Sequence, residues 1–196
     1  MSIKDRTKVM FAEQLAQMMN TASLEKIRIL DLCRQCGATP QTFYYHFRDK
    51  YELVAWIFLK DFADVFGDRE PGYSPEILEE ITKRMEKRKL FYQKAFADQS
   101  QNSILQYIQS FNLQIATSAV KAQTGEDLTT EQMVSIKYHV YGIMGMFREW
   151  LYGDTDITTT QLTAFLYDKT PDFLQDAFSS YKYSRREILQ KSGKHS

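Results

Sequence analysis

The chain has 196 residues, 43% of them apolar and 26% charged, a composition that folds around a core and excludes global disorder. Eight Gly and four Pro are too few turn formers for an all-β fold. Charge balances at 25 basic against 25 acidic residues, but residues 1–50 hold eight of the former and five of the latter, a basic end that suits a polyanion partner.

In chain order, Val9, Met10, Ala12, Leu15, Ala16 and Met19 recur at helical spacing over residues 7–19. Residues 29–36 make a second short helix that stops at Gly37. Thr39 as N-cap and Pro40 at the first helical position start a third, to about Phe47. Asp49 caps a fourth, Lys50–Phe66. The run from Gly67 to Pro75 breaks the pattern with two Gly and two Pro. One long helix is expected over Glu76–Phe96 and another over Ser103–Gln123, closed by Gly125. Thr130 is expected to cap Glu131–Tyr152, which Gly153 ends. Helices over Thr160–Lys169 and from Thr170-Pro171 to about Ser180 follow, and residues 184–196 read as a basic flexible tail. The fold class is therefore all-α. The divisions are a small unit at 1–50, a connecting helix at 50–66 and a larger helical unit at 67–183.

The span 29–50, ILDLCRQCGATPQTFYYHFRDK, carries the chemistry. Two short helices joined by Gly37-Ala38-Thr39 form a helix-turn-helix, whose second helix enters a DNA major groove. Phe43 and Phe47, four apart, define its buried side, which turns Gln41, Thr42 and Tyr45 outward with Tyr44 and His46 on the flanks. Gln41 suits an adenine edge and Thr42 a thymine methyl or base edge. Tyr44, Tyr45, His46 and Lys50 suit phosphates.

The run Gly37–Leu53, GATPQTFYYHFRDKYEL, resembles the signature of TetR-type regulators: a Gly turn, a recognition helix ending Tyr-x-His-Phe, then x-x-Lys-x-x-Leu. The resemblance covers about 45 N-terminal residues. It implies a homodimeric transcription factor, most often a repressor, that binds a palindromic operator on double-stranded DNA and is released by a small effector. It adds Arg28 as a phosphate contact. Two departures stand out: Cys33 and Cys36 occupy positions where Ala and an aliphatic residue are usual, and few basic residues flank the recognition helix. A second stretch, Lys89–Ile108, is similar to regulators of dihydroxyacetone kinase operons, some of which work through a protein partner. The alternative function is thus a co-regulator whose C-terminal domain binds a protein in place of a metabolite.

Aromatic content and helix position nominate Phe91, Phe111, Ile115, Tyr138, Tyr141 and Met144 as effector lining. Gly142 and Gly145 inside a helix, each costing roughly 1 kcal/mol against Ala, suit close helix approach; the TetR resemblance implies that this helix and 162–178 form the dimer bundle, with ordinary intrachain packing as the alternative. Cys33 and Cys36 read as small core residues, because no further ligands stand near them for a metal. His139 reads equally as a buried core residue or an effector ligand. Lys83–Lys89 is a charge run on a solvated face. No nucleophile elbow, phosphate loop or paired carboxylates point to an enzyme, and no metal or cofactor is called for. The longest apolar run, Val54–Leu59, is far short of the ~20 residues of a membrane span. The charged N-terminus is unlike a secretory signal, so the expected location is cytoplasmic.

Overall fold

The computed structural model describes residues 3–69, 72–98 and 103–190. Among these every regular element is helical: α1 Ile3–Met18, a 3-10 turn at Leu24–Lys26, α2 Ile29–Gln35, α3 Pro40–His46, α4 Lys50–Phe66, α5 Pro75–Glu86, α6 Lys89–Phe96, α7 Ile104–Thr124, α8 Thr130–Tyr152, α9 Thr159–Asp168, α10 Asp172–Ser180 and α11 Arg185–Gln190.

Local chemistry sets the boundaries. The Thr39 hydroxyl accepts from the Thr42 amide, and the Asp49 carboxylate accepts from the Glu52 amide, so α3 and α4 begin where unpaired N–H groups find side-chain oxygens. Thr129 with Gln132, and Thr158 with Gln161, form reciprocal capping boxes. They place the starts of α8 and α9 one residue before the sequence expectation. The single helix expected over Glu76–Phe96 is two: Arg88 leaves helical geometry at φ −113°, ψ 26°.

Helices α1, α2 and α3 pack around Phe11, Leu15, Phe43 and Phe47, all buried, with the Phe11 and Phe43 rings edge to face at 5.3 Å. Trp56 of α4 closes this small core against Phe47 at 5.9 Å. Helix α4 runs on from there into the larger unit, where it meets α5, α7 and α11. The shared helix explains its composition, because nearly every face of it is covered. In the larger unit α10 lies on α7, α9 on α5, and α8 on α7 and α6.

The expected free tail is corrected for residues 185–190. They form α11 on α4, with Ile188 buried, the Arg185 guanidinium 2.5 Å from Asp64, and Gly67 yielding the space. A Cβ at Gly67 would sit 2.5 Å from the Ala63 carbonyl and 2.9 Å from Arg185 Cβ. Residues 191–196 of that tail lie outside the described residues.

Candidate nucleic-acid interface and ligand cavity

The turn between α2 and α3 requires Gly37: its φ is +62°, a left-handed conformation that costs an L-residue roughly 1–2 kcal/mol. Beyond it α3 buries Phe43 and presents Gln41, Tyr44 and Tyr45, the last two 57% and 67% exposed. Thr42 and His46 are half-buried at its flanks. Thr42 Oγ1 lies 3.0 Å from Thr39 Oγ1, which holds its methyl and hydroxyl in one rotamer. The His46 ring stands edge-on to Tyr45 at 5.0 Å. Arg28, at the N-cap of α2, is exposed.

Lys50 departs from its expected role. Its ammonium donates to the Glu25 carbonyl at 2.8 Å and the Ile27 carbonyl at 3.0 Å. Two of its three N–H groups thus brace the segment that leads into α2, and burial pulls its pKa below the ordinary lysine value. Lys8 also serves the interior, with its ammonium 5.3 Å from the Phe47 ring and 5.7 Å from Trp56. Arg48, exposed in the loop after α3, has its guanidinium 3.7 Å from Asp49. Cys33 is buried and Cys36 half-buried; burial raises both thiols, Cys36 to about 11, which leaves them protonated and unreactive.

The larger unit holds a cavity of about 160 Å³. Helix α4 supplies Phe58, Phe62 and Phe66, one face at four-residue spacing. Helix α7 supplies Ile108, Asn112 and Ile115, and α8 supplies His139, Ile143, Met144 and Phe147. Of the six residues expected to line it, Ile115 and Met144 do so. Phe111 stands one layer behind, edge-on to Phe58 at 5.5 Å and to Phe62 at 5.0 Å. Phe91 is buried against Tyr92. Tyr138 and Tyr141 are corrected: they are 83% and 50% exposed on the outer side of α8, because His139 and Val140 occupy its inward face.

Among the described residues, no Lys, Arg, Asp or Glu borders the cavity. His139 is 8% exposed, and burial lowers its pKa to about 4, so its imidazole is neutral at pH 7. Its Nε2 is 3.5 Å from Thr170 Oγ1. That hydroxyl donates to the Leu166 carbonyl and lies 2.8 Å from the Tyr73 hydroxyl, whose pKa is pushed up to about 12 by burial.

Behind the cavity, α4 turns Asp61 toward α5 and α6. Asp61 is fully buried and accepts from Arg84 Nε at 2.8 Å, Tyr92 Oη at 2.7 Å and Arg88 Nη1 at 3.4 Å. Asp64 is paired with Lys60, Arg84 and Arg185, and the hydrogen bonds hold its carboxyl below the usual carboxylate range against the cost of burial. Much of the 83–89 charge run is therefore structural: Lys83 pairs with Glu79, and Arg84 and Arg88 converge on Asp61. The outer face of α8 carries Val134, Tyr138, Tyr141, Gly142 and Gly145, and nothing lies within 4 Å of where a Cβ on either glycine would sit.

Residues 74–172, half of the chain, match the TetR-type family model described as "Transcriptional regulator C-terminal region". The chain is 29% identical over 92 residues to the HTH-type dhaKLM operon transcriptional activator DhaS of Lactococcus lactis. That match takes in 46% of this chain and 49% of the relative, so it spans about half the relative's length. Among solved structures, a dihydroxyacetone kinase operon activator DhaS shares the fold at TM-score 0.59 and 19% identity, over 90% of this chain and 98% of that one. A tetR-family transcriptional regulator from Streptomyces coelicolor shares it at TM-score 0.52 and 13% identity, over 98% and 90%.

Proposed function

The chain belongs to the TetR family of transcriptional regulators, and from that premise we propose that it binds DNA as a homodimer and that a small molecule in its cavity tunes that binding. The exposed face of α3 carries the reading: Gln41, Tyr44 and Tyr45 project from the first turns of a helix whose other face is anchored by Phe43. Gln41 and Thr42 read base edges; Tyr44, Tyr45, His46 and Arg28 meet phosphates; Lys50 holds the helix-turn-helix against α4.

One recognition helix reads only a few base pairs, so two half-sites are needed, spaced by roughly 34–36 Å or a little more. The outer face of α8 supplies the second copy's contact. Gly142 and Gly145 weaken α8, and among the described residues nothing stands within 4 Å of a Cβ built on either, which suits a partner helix approaching closely. Repression is the family expectation, whereas the Lactococcus lactis relative is named an activator. Both signs use the same protein–DNA contacts, and the position of the operator relative to the promoter selects between them.

The test is Gln41→Ala on duplexes selected from genomic fragments. It should cost about 1–3 kcal/mol on the preferred operator and little on unrelated DNA. Equal loss on both would show that Gln41 does not read bases.

A further inference from the structure

The cavity's lining specifies the class of its occupant. Its walls are rings and branched aliphatics, with Phe58, Phe62, Phe96 and Phe147 among them. Most of the bordering hydroxyls already have acceptors: Thr82 donates to the Leu78 carbonyl, Thr163 to that of Thr159, and Tyr73 lies against Thr170. Asn112 is different. Its one described hydrogen bond is a soft contact of 3.7 Å from Nδ2 to Met144 Sδ, so this amide keeps capacity facing the cavity. Size is the second constraint. An engineered apolar cavity of about 150 Å³ admits benzene, and 160 Å³ admits a ring with a short substituent. Charge is the third. An anion would lose its hydration here with no cation in the wall to replace it.

We propose that the cavity binds an uncharged single-ring aromatic compound bearing one hydrogen-bond-accepting oxygen, held by ring contacts and by the Asn112 amide. The consequence for DNA rests on the regulatory reading above. Binding itself does not.

The experiment titrates four probes into the full chain by calorimetry, with intrinsic tryptophan fluorescence as a second readout, since the Trp150 ring lies 5.4 Å from Phe147 of the cavity wall. Acetophenone and ethylbenzene should bind, acetophenone more tightly. Benzoate, the anionic counterpart, and dihydroxyacetone, a small polyol ketone, should bind at least tenfold more weakly than acetophenone. Asn112→Leu should lower acetophenone affinity about tenfold and leave ethylbenzene affinity unchanged or higher. The ligand series on the native chain needs no variant to fold. Benzoate or dihydroxyacetone binding as tightly as acetophenone, or neither aromatic probe binding, overturns the proposal. An acetophenone loss in Asn112→Leu matched by ethylbenzene overturns the role of the amide. If acetophenone binds and operator affinity does not change, the occupant stands and the effector reading falls.

Discussion

Replacing Asp61 by Asn should destabilise the larger unit by about 2–3 kcal/mol. The carboxylate accepts on both oxygens, from Arg84 on one and from Tyr92 and Arg88 on the other. An amide of the same shape has one acceptor and one donor. Whichever way it is turned, an N–H faces either the Arg84 guanidinium or the Tyr92 hydroxyl. Breaking a buried ion pair costs roughly 3–5 kcal/mol, but Arg84 and Arg88 are each 37% exposed and regain water, which lowers the figure. Tyr92 is fully buried and has no such recourse. For a chain of this length, 2–3 kcal/mol is about 4–12 °C in Tm. Urea unfolding followed by circular dichroism, with wild type and variant at the same protein concentration, gives the difference in free energy on a common footing. Tyr92→Phe alone should cost about 1 kcal/mol, and the double variant should fall short of additivity by at least about 0.5 kcal/mol. Wild-type stability in Asp61→Asn, or strict additivity in the cycle, would refute the reasoning.

His139 should make stability fall as pH drops from 6.5 toward 4, because the unfolded chain then binds a proton that the buried ring rejects. The effect is at most roughly 3 kcal/mol, and His139→Gln should flatten that limb of a urea-midpoint profile. Gly145→Leu should shift the sedimenting species from about twice 23.0 kDa toward 23.0 kDa without lowering helix content; an unchanged dimer would move the interface off this face of α8. Lys50→Met should loosen α2 and α3 from α4, seen as faster amide exchange at Ile29–Gln35, and should weaken specific and unspecific DNA binding alike. Unchanged exchange would show that the bonds to Glu25 and Ile27 do not hold the unit together.

Local rules carried the small unit. Thr39, Pro40 and Asp49 mark helix starts by their own chemistry, and the spacing of Phe43 and Phe47 reports the buried face directly, so α3 and α4 lie where the residues place them. The larger unit was less legible because its decisive contacts are distant in sequence. Met85 and Tyr92 are seven apart, two helical turns, so a hydrophobic period runs unbroken across Arg88 although the backbone does not. The break brings Arg84, Arg88 and Tyr92 onto one carboxylate in α4, a requirement no local pattern encodes. Tyr138 and Tyr141 looked like cavity walls because aromatic content carries no direction. The neighbouring Val140 and Met144 carry the inward phase. The spacing of Phe58, Phe62 and Phe66 was visible, but only the packed neighbours show that these rings border a space.

The brace at Lys50 has a mechanical consequence. With its ammonium on two carbonyls ahead of α2, and with Phe47 against Trp56, the reading head is welded to one end of a 17-residue rod. At about 1.5 Å per residue that rod is roughly 25 Å long, and its far half forms the floor under Phe58, Phe62 and Phe66. A head that cannot hinge on its rod would keep its shape if the rod tilted, so in the proposed dimer the quantity that changes is the distance between two heads. Under the function proposed above, control is then a matter of gauge. Synthetic operators whose half-sites are set one base pair closer or farther apart should reorder the affinities of the occupied and empty forms.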